Sequence, residues 1–103
     1  MYQISFYVPI HDAEKVKSAM FTAGAGRFNN YKQCAWQTEG KGQFMPVDDA
    51  QPAIGELDKL ETVSEYKVEM MCSTDSLSAV MSALKKAHPY EEAAYCVVKM
   101  ETI

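Results

Sequence analysis

The chain has 103 residues, 48% of them hydrophobic, and a formal net charge of −4 with a single arginine, Arg27. That length fits one domain, residues 1–103, around one moderate core, and the apolar share is too high for a disordered chain. The acidic balance argues against nucleic acid and against an anionic membrane surface, both of which select cationic side chains.

No apolar run approaches the ~20 residues of a membrane helix. The N-terminus opens on a strand pattern rather than on a basic, apolar, cleavable leader, so the expectation is a cytoplasmic protein. Residues 2–9 alternate, with Tyr2, Ile4, Phe6 and Val8 on one face and Gln3, Ser5 and Tyr7 on the other, the pattern of a half-buried strand. Pro9 ends it. Asp12 is a candidate N-cap with Glu14 behind it, and Val16, Ala19, Met20 and Ala23 follow helical spacing until Gly24 and Gly26 stop the helix. Residues 31–39 read as a second strand, Gly40-Lys41-Gly42 as a turn, and 43–47 as a short returning strand that Pro46 confines to an edge. A loop with Pro52 and Gly55 follows. A third long strand runs from Glu61 to Cys72, in which Tyr66, Val68, Met70 and Cys72 alternate with charged neighbours.

Thr74 or Asp75 caps a second helix whose stripe is Leu77, Val80, Met81 and Leu84, with Lys85 and Lys86 at its negative end. His88-Pro89 breaks it. Residues 94–101 form the last strand, with Ala94, Cys96, Val98 and Met100 expected on the core side and Tyr95, Val97, Lys99 and Glu101 opposite. Cys34, Cys72 and Cys96 form no CxxC or CxxH pair. All three are expected to face the core as free thiols, which makes them poor nucleophiles.

The order is βαββαβ with an elaborated middle connection. Each helix has one apolar stripe, so both cover the same sheet face. The split βαβ, ferredoxin-like α+β sandwich satisfies this, with an antiparallel sheet in which the third long strand lies between the first and second, and the last lies beyond the first. This topology brings His11, the connection from Gly40 to Leu60, and His88-Pro89-Tyr90-Glu91-Glu92 to one end of the domain. It also leaves Tyr7, Met71, Tyr95 and Val97 on the face away from the helices. Such a patch is usually covered by a partner, so a homo-oligomer is expected.

Several stretches together resemble a known module. They are Gly24-Ala25-Gly26, Asn30-Tyr31 with Cys34, the run Thr38-Glu39-Gly40 through Gly42, Phe44 and Pro46, then Pro52, Ile54 and Gly55, and finally His88-Pro89-Tyr90-Glu91-Glu92 with Ala94-Tyr95. The chain resembles, over nearly its whole length, the YqfO-type insertion domain of the larger bacterial Nif-three-like proteins. That resemblance implies a ferredoxin-like fold similar to the PII signalling proteins and the CutA divalent-cation-tolerance proteins, and by analogy a trimer, although a dimer is equally compatible with the composition. Asn29 stands where family members usually have glycine, and Met45 where they have a charged residue. The parent proteins carry a dinuclear metal site in segments flanking the module, so the expectation is a stand-alone accessory domain to which their hydrolase-like role does not transfer.

Two readings of the stretch from His88 to Glu92 stand side by side. In one it is a helix stop and strand start, with His88 donating to carbonyls at the negative helix end. In the other, His88, Glu91 and His11 hold a divalent metal ion, imidazole with carboxylate suiting zinc, copper or nickel. A ligand edge would also include Gly40, Gly42, Phe44, Tyr90 and Glu92. The Gly40-Lys41-Gly42 amides suggest anion binding but lack the GK[ST] of a P-loop. The function expected is a non-catalytic small-ligand or metal-sensing regulatory module. The alternative is a protein–protein interaction or assembly domain that partners a Nif-three-like core protein, and a metal-dependent hydrolase is the weakest option.

Overall fold

A computed structural model describes residues 1–101. Four strands, β1 (Tyr2–Pro9), β2 (Trp36–Phe44), β3 (Glu61–Cys72) and β4 (Tyr95–Lys99), form one antiparallel sheet in the order β2-β3-β1-β4. Two helices, α1 (Ala13–Thr22) and α2 (Leu77–Ala87), pack on one face. The expected topology and α+β class are therefore those observed.

The register explains the core. Ile4 pairs with Met70, Phe6 with Val68 and Val8 with Tyr66, so one parity of both central strands meets the helices. Ile4, Phe6, Val8 and Val68 are fully buried there against Val16 and Met20 of α1 and Val80 and Leu84 of α2. Burying each such side chain contributes about 1.5–3 kcal/mol. Of the stripes anticipated on the helices, Val16, Met20, Val80 and Leu84 are fully buried, and Ala23, Leu77 and Met81 pack half-buried against them. Asp12 occupies the N-cap of α1, but its side chain makes no capping bond. Thr74 and Asp75 do not cap α2 either; they lie in a single 3-10 turn, Thr74–Ser76, that leads into the helix.

Three expectations are corrected by the sheet. Gly40-Lys41-Gly42 is not a turn, and 43–47 is not a separate returning strand, because β2 runs unbroken through all three residues and pairs with β3 from Trp36↔Glu69 to Phe44↔Glu61. Glycine is a turn signal only where the chain must reverse, and here it serves as a side chain of no size. The last strand has the opposite parity to the one expected. Ile4 pairs with Val97 and Phe6 with Tyr95, so Tyr95 and Val97 lie on the helix side, where Val97 joins the core and the Lys85 ammonium sits 5.4 Å from the Tyr95 ring centroid. Cys96 is exposed on the other face, and Cys34 is half-buried in the segment before β2; only Cys72 is a buried thiol. Both parities of this strand carry apolar residues, so alternation alone does not choose between them. Tyr7 and Met71 do lie on the open face, joined by Val98 and Trp36.

The turn after α1 depends on backbone that only glycine adopts freely. Gly26 has φ +77°, donates to the Met71 carbonyl at 2.8 Å and accepts from the Cys34 amide at 2.9 Å. A Cβ there would lie 2.8 Å from the Phe21 ring. Asn29, in the tight bridge between Phe28 and Tyr31, has φ +52°, a left-handed conformation that glycine takes without strain and asparagine tolerates. At the far end of the sheet the Met100 amide donates to the Met1 carbonyl at 2.9 Å.

Gly26→Ala combines a strained φ with overpacking. It is expected to destabilise the fold by about 2–4 kcal/mol, read as a lower urea midpoint at unchanged slope. An unchanged midpoint would show that the turn relaxes freely.

Candidate functional site

The site begins with a carboxylate in an unexpected place. Glu65 is on the open face of β3, opposite Pro9 of β1 and Gly40 of β2, yet only 7% of it is exposed. Two features enclose it. Gly42, two residues further along β2 on the same face, leaves room above the strand that the Glu65 carboxylate fills; a Cβ at Gly42 would overlap it. From the other side the Tyr90 hydroxyl donates to Glu65 Oε2 at 2.9 Å.

Tyr90 is placed by His88. The connector between α2 and β4 leaves the helix at His88, whose amide donates to the Leu84 carbonyl at 2.9 Å and whose ψ of 137° is extended, as a residue before proline requires. The His88 ring turns inward and is 5% exposed. Its Nδ1 accepts from the Tyr90 amide at 3.1 Å, so Nε2 holds the proton and donates to the Tyr7 carbonyl at 2.7 Å. Tyr7 lies just beyond Phe6, the last β1 residue that β4 pairs with, so the ring extends the sheet's bonding where the strand stops. The His88 and Tyr90 rings lie 4.9 Å apart, and Tyr90 meets Phe44 at 6.0 Å.

Burial, then the hydrogen bond to Glu65, then the negative charges of Glu65, Asp12 and Glu61 push the Tyr90 phenol far above its ordinary value of 10.0. Burial likewise raises the Cys72 thiol, partly offset by the N-terminal ammonium, which makes it a poor nucleophile.

Residues 45–60 cross the open face from the end of β2. The Gln51 amide donates to Glu91 Oε1 at 3.0 Å, tying this loop to the connector. Between the loop and the sheet lies a cleft of about 1310 Å³. Its walls include Tyr7, Gly40, Gly42, Phe44, Tyr90, Glu91 and Glu92, so the structure brings together most of the residues anticipated from sequence. Glu65, Glu69, Asp48 and Asp49 add carboxylates, faced on this side of the sheet by Lys67. His88 lies behind this wall with both ring nitrogens engaged. His11 stands apart, its side chain 85% exposed and Nε2 3.4 Å from Asp12. His88, Glu91 and His11 are thus not gathered around one point, and among the described residues no three His, Cys, Asp or Glu side chains form a metal-holding group. Glu65 is the residue sequence reading passed over as one of the charged neighbours in its strand. The available signal was across the sheet, in Gly42, which makes room for it.

No protein-family model matches the chain. A curated relative from Mycobacterium leprae, a GTP cyclohydrolase 1 type 2 homolog, is 44% identical over 89 residues, which are 86% of this chain and 23% of that protein. A solved Bacillus cereus protein related to NIF3 superposes with a TM-score of 0.82 at 35% identity, over 98% of this chain and 26% of that one. This chain belongs to the YqfO-type domains of the Nif-three-like family. The domain spans about a quarter of the length of the curated relatives it matches. The periplasmic divalent cation tolerance protein CutA from Archaeoglobus fulgidus shares the fold, with a TM-score of 0.69 at 18% identity over 99% of this chain and 86% of that one. No described helix of the YqfO-type domain is long and apolar enough to cross a membrane.

Tyr90→Phe removes the donor to a buried carboxylate and is expected to cost about 1.5–3 kcal/mol. The raised phenol also fixes a sign. The neutral phenol stabilises the fold fully below pH 10, and that contribution is lost as pH rises above the ordinary tyrosine value of 10.0. In a tyrosinate absorbance titration, one of the six tyrosines should ionise only as the fold opens, and this late step should vanish in Tyr90→Phe. An equally late step in the variant would refute the assignment.

Proposed function

We propose that this YqfO-type domain is a non-catalytic regulatory module that binds a small cationic ligand or a divalent metal ion in the cleft between the 45–60 loop and the sheet. The observation that carries this reading is the make-up of the cleft. Asp48 and Asp49 on the loop, Glu91 and Glu92 on the connector, and Glu65 and Glu69 on the sheet face one volume and outnumber the two lysines in its walls, Lys41 and Lys67. Carboxylates converging from three elements favour a cation, and oxygen ligands suit hard divalent ions. Phe44, Tyr90 and Tyr7 add aromatic surface that would accept an organic ammonium group. The loop joins the connector through Gln51 and Glu91, so occupancy would bear on the position of both.

A second reading, an assembly domain for a Nif-three-like core protein, draws on the exposed apolar side chains of the open face, Tyr7, Trp36 and Val98. Pull-down with such a core protein tests it, and recovery of the domain alone would count against it.

Thermal denaturation with calcium, magnesium, manganese and zinc salts and with spermidine tests the first reading. Binding to the native state raises the melting temperature, by about 2.7 kcal/mol of added stability at one hundred times Kd. The paired substitution Glu91→Gln with Glu92→Gln should remove that rise. Both residues are exposed, so the unliganded melting temperature should change little. Absence of any rise across these probes would sink the proposal.

A further inference from the structure

We propose that the ligand of the cleft is an aliphatic polyamine, lying extended with one ammonium group on Glu65 and another among the carboxylates of the loop and connector. This names the ligand class for the cationic reading of the cleft given above, and rests on it. It starts from a charge that has no counter-charge. Glu65 is only 7% exposed, and a carboxylate so deep normally has a cationic partner. Among the described residues no lysine, arginine or histidine lies within ion-pair distance of it. The two lysines of the cleft walls are engaged elsewhere. Lys67 Nζ is 3.6 Å from Glu69 Oε1, and Lys41 Nζ donates to Ser64 Oγ at 2.8 Å. Glu69 thus has its own cation, and Gln3 Nε2 donates to it at 3.3 Å. Glu65 has only the Tyr90 hydroxyl, on Oε2. Its Oε1 lies over Gly42 and carries no hydrogen bond among the described residues. No enclosed side-chain oxygen among these residues lacks a partner, so Oε1 opens onto the cleft that Glu65 and Gly42 both line.

Three features favour a polyamine over a metal ion. The first is the spread of the charge. The unpaired carboxylates come from the loop, the connector and β3, and among the described residues no three acidic side chains meet as a metal-holding group. A point charge satisfies one such group, whereas ammonium groups at intervals along a chain reach several. The second is size. The cleft holds about 1310 Å³, and an ion with its water shell, at about 30 Å³ per water, fills a small part of that. The third is the surface beside the anchor. The Phe44 and Tyr90 rings lie 6.0 Å apart, and the Tyr90 hydroxyl is the one bonded to Glu65. Methylene groups leaving Glu65 would therefore meet aromatic carbon, and the ring faces attract ammonium groups. A hydrated metal ion gains nothing from that surface.

Isothermal titration calorimetry of the chain with spermidine, butylamine and calcium chloride at fixed ionic strength tests this. Spermidine should bind about ten-fold or more tightly than either of the others. Glu65→Gln keeps an acceptor for the Tyr90 hydroxyl and should weaken spermidine binding about ten-fold, the loss expected for one bond to a charged group. Asp75→Asn removes the same charge from an exposed position in the turn after β3 and should leave the affinity as it is, which separates a site from general attraction to an acidic chain. Circular dichroism establishes that each variant is folded. Should Glu65→Gln melt early, Glu91→Gln, an exposed change, takes its place in the comparison. Equal losses in the cleft variant and in Asp75→Asn, or spermidine that binds no more tightly than butylamine, would overturn the proposal. Calcium binding without spermidine binding would also overturn it, and would leave the cationic cleft standing. Absence of binding by every probe would remove both.

Discussion

A buried carboxylate on the open side of a sheet is the constraint around which this end of the domain is arranged. Glu65 is held by the Tyr90 hydroxyl and lies in space that Gly42 leaves vacant. Removing a carboxylate from water is costly unless it is bonded. That cost makes several remote features interdependent. Gly42 must lack a side chain, Tyr90 must reach over the sheet, and His88 must hold the connector so that it can. No buried side-chain nitrogen or oxygen among the described residues lacks a partner. The network is therefore complete without any added group, and the cleft beside it is free to take one.

The same network couples elements far apart in sequence. Tyr7 belongs to the first strand, Glu65 to the third, and His88 and Tyr90 to the connector before the last. The loop reaches the connector by another route, through Gln51 and Glu91. A ligand in the cleft would touch the loop and connector directly and the sheet through Glu65 and Lys67. By this route occupancy would be communicated without a large rearrangement, because the parts already share bonds.

Much of this was legible in the sequence. The strand alternation of residues 2–9 and 61–72 and the helical stripes identified the core, and one apolar face per helix led to the observed sheet order. The same topology brought Tyr90, Glu91, Glu92 and the loop to one end, as found. What failed had physical causes. Gly40 and Gly42 were read as a turn because glycine most often provides backbone freedom, whereas here Gly42 provides space for a neighbour's side chain. That neighbour is distant in sequence and visible only after pairing. The parity of β4 was misassigned because Cys96 and Val98 are as apolar as Tyr95 and Val97. The register with β1 decides it, and no local pattern encodes that register. The two ring nitrogens of His88 serve backbone groups, a use that residue type and spacing do not distinguish from ligation.

The Met100 amide bonded to the Met1 carbonyl places the first and last strands' outer ends side by side. Closing a chain across such a short gap costs little loop entropy. A host protein can therefore accept a module of this shape at a single surface point, with entry and exit adjacent and the host's own ends hardly displaced. The relatives in which this domain makes up about a quarter of the length are consistent with that geometry. The strand pairing that closes the sheet also makes the module portable between chains.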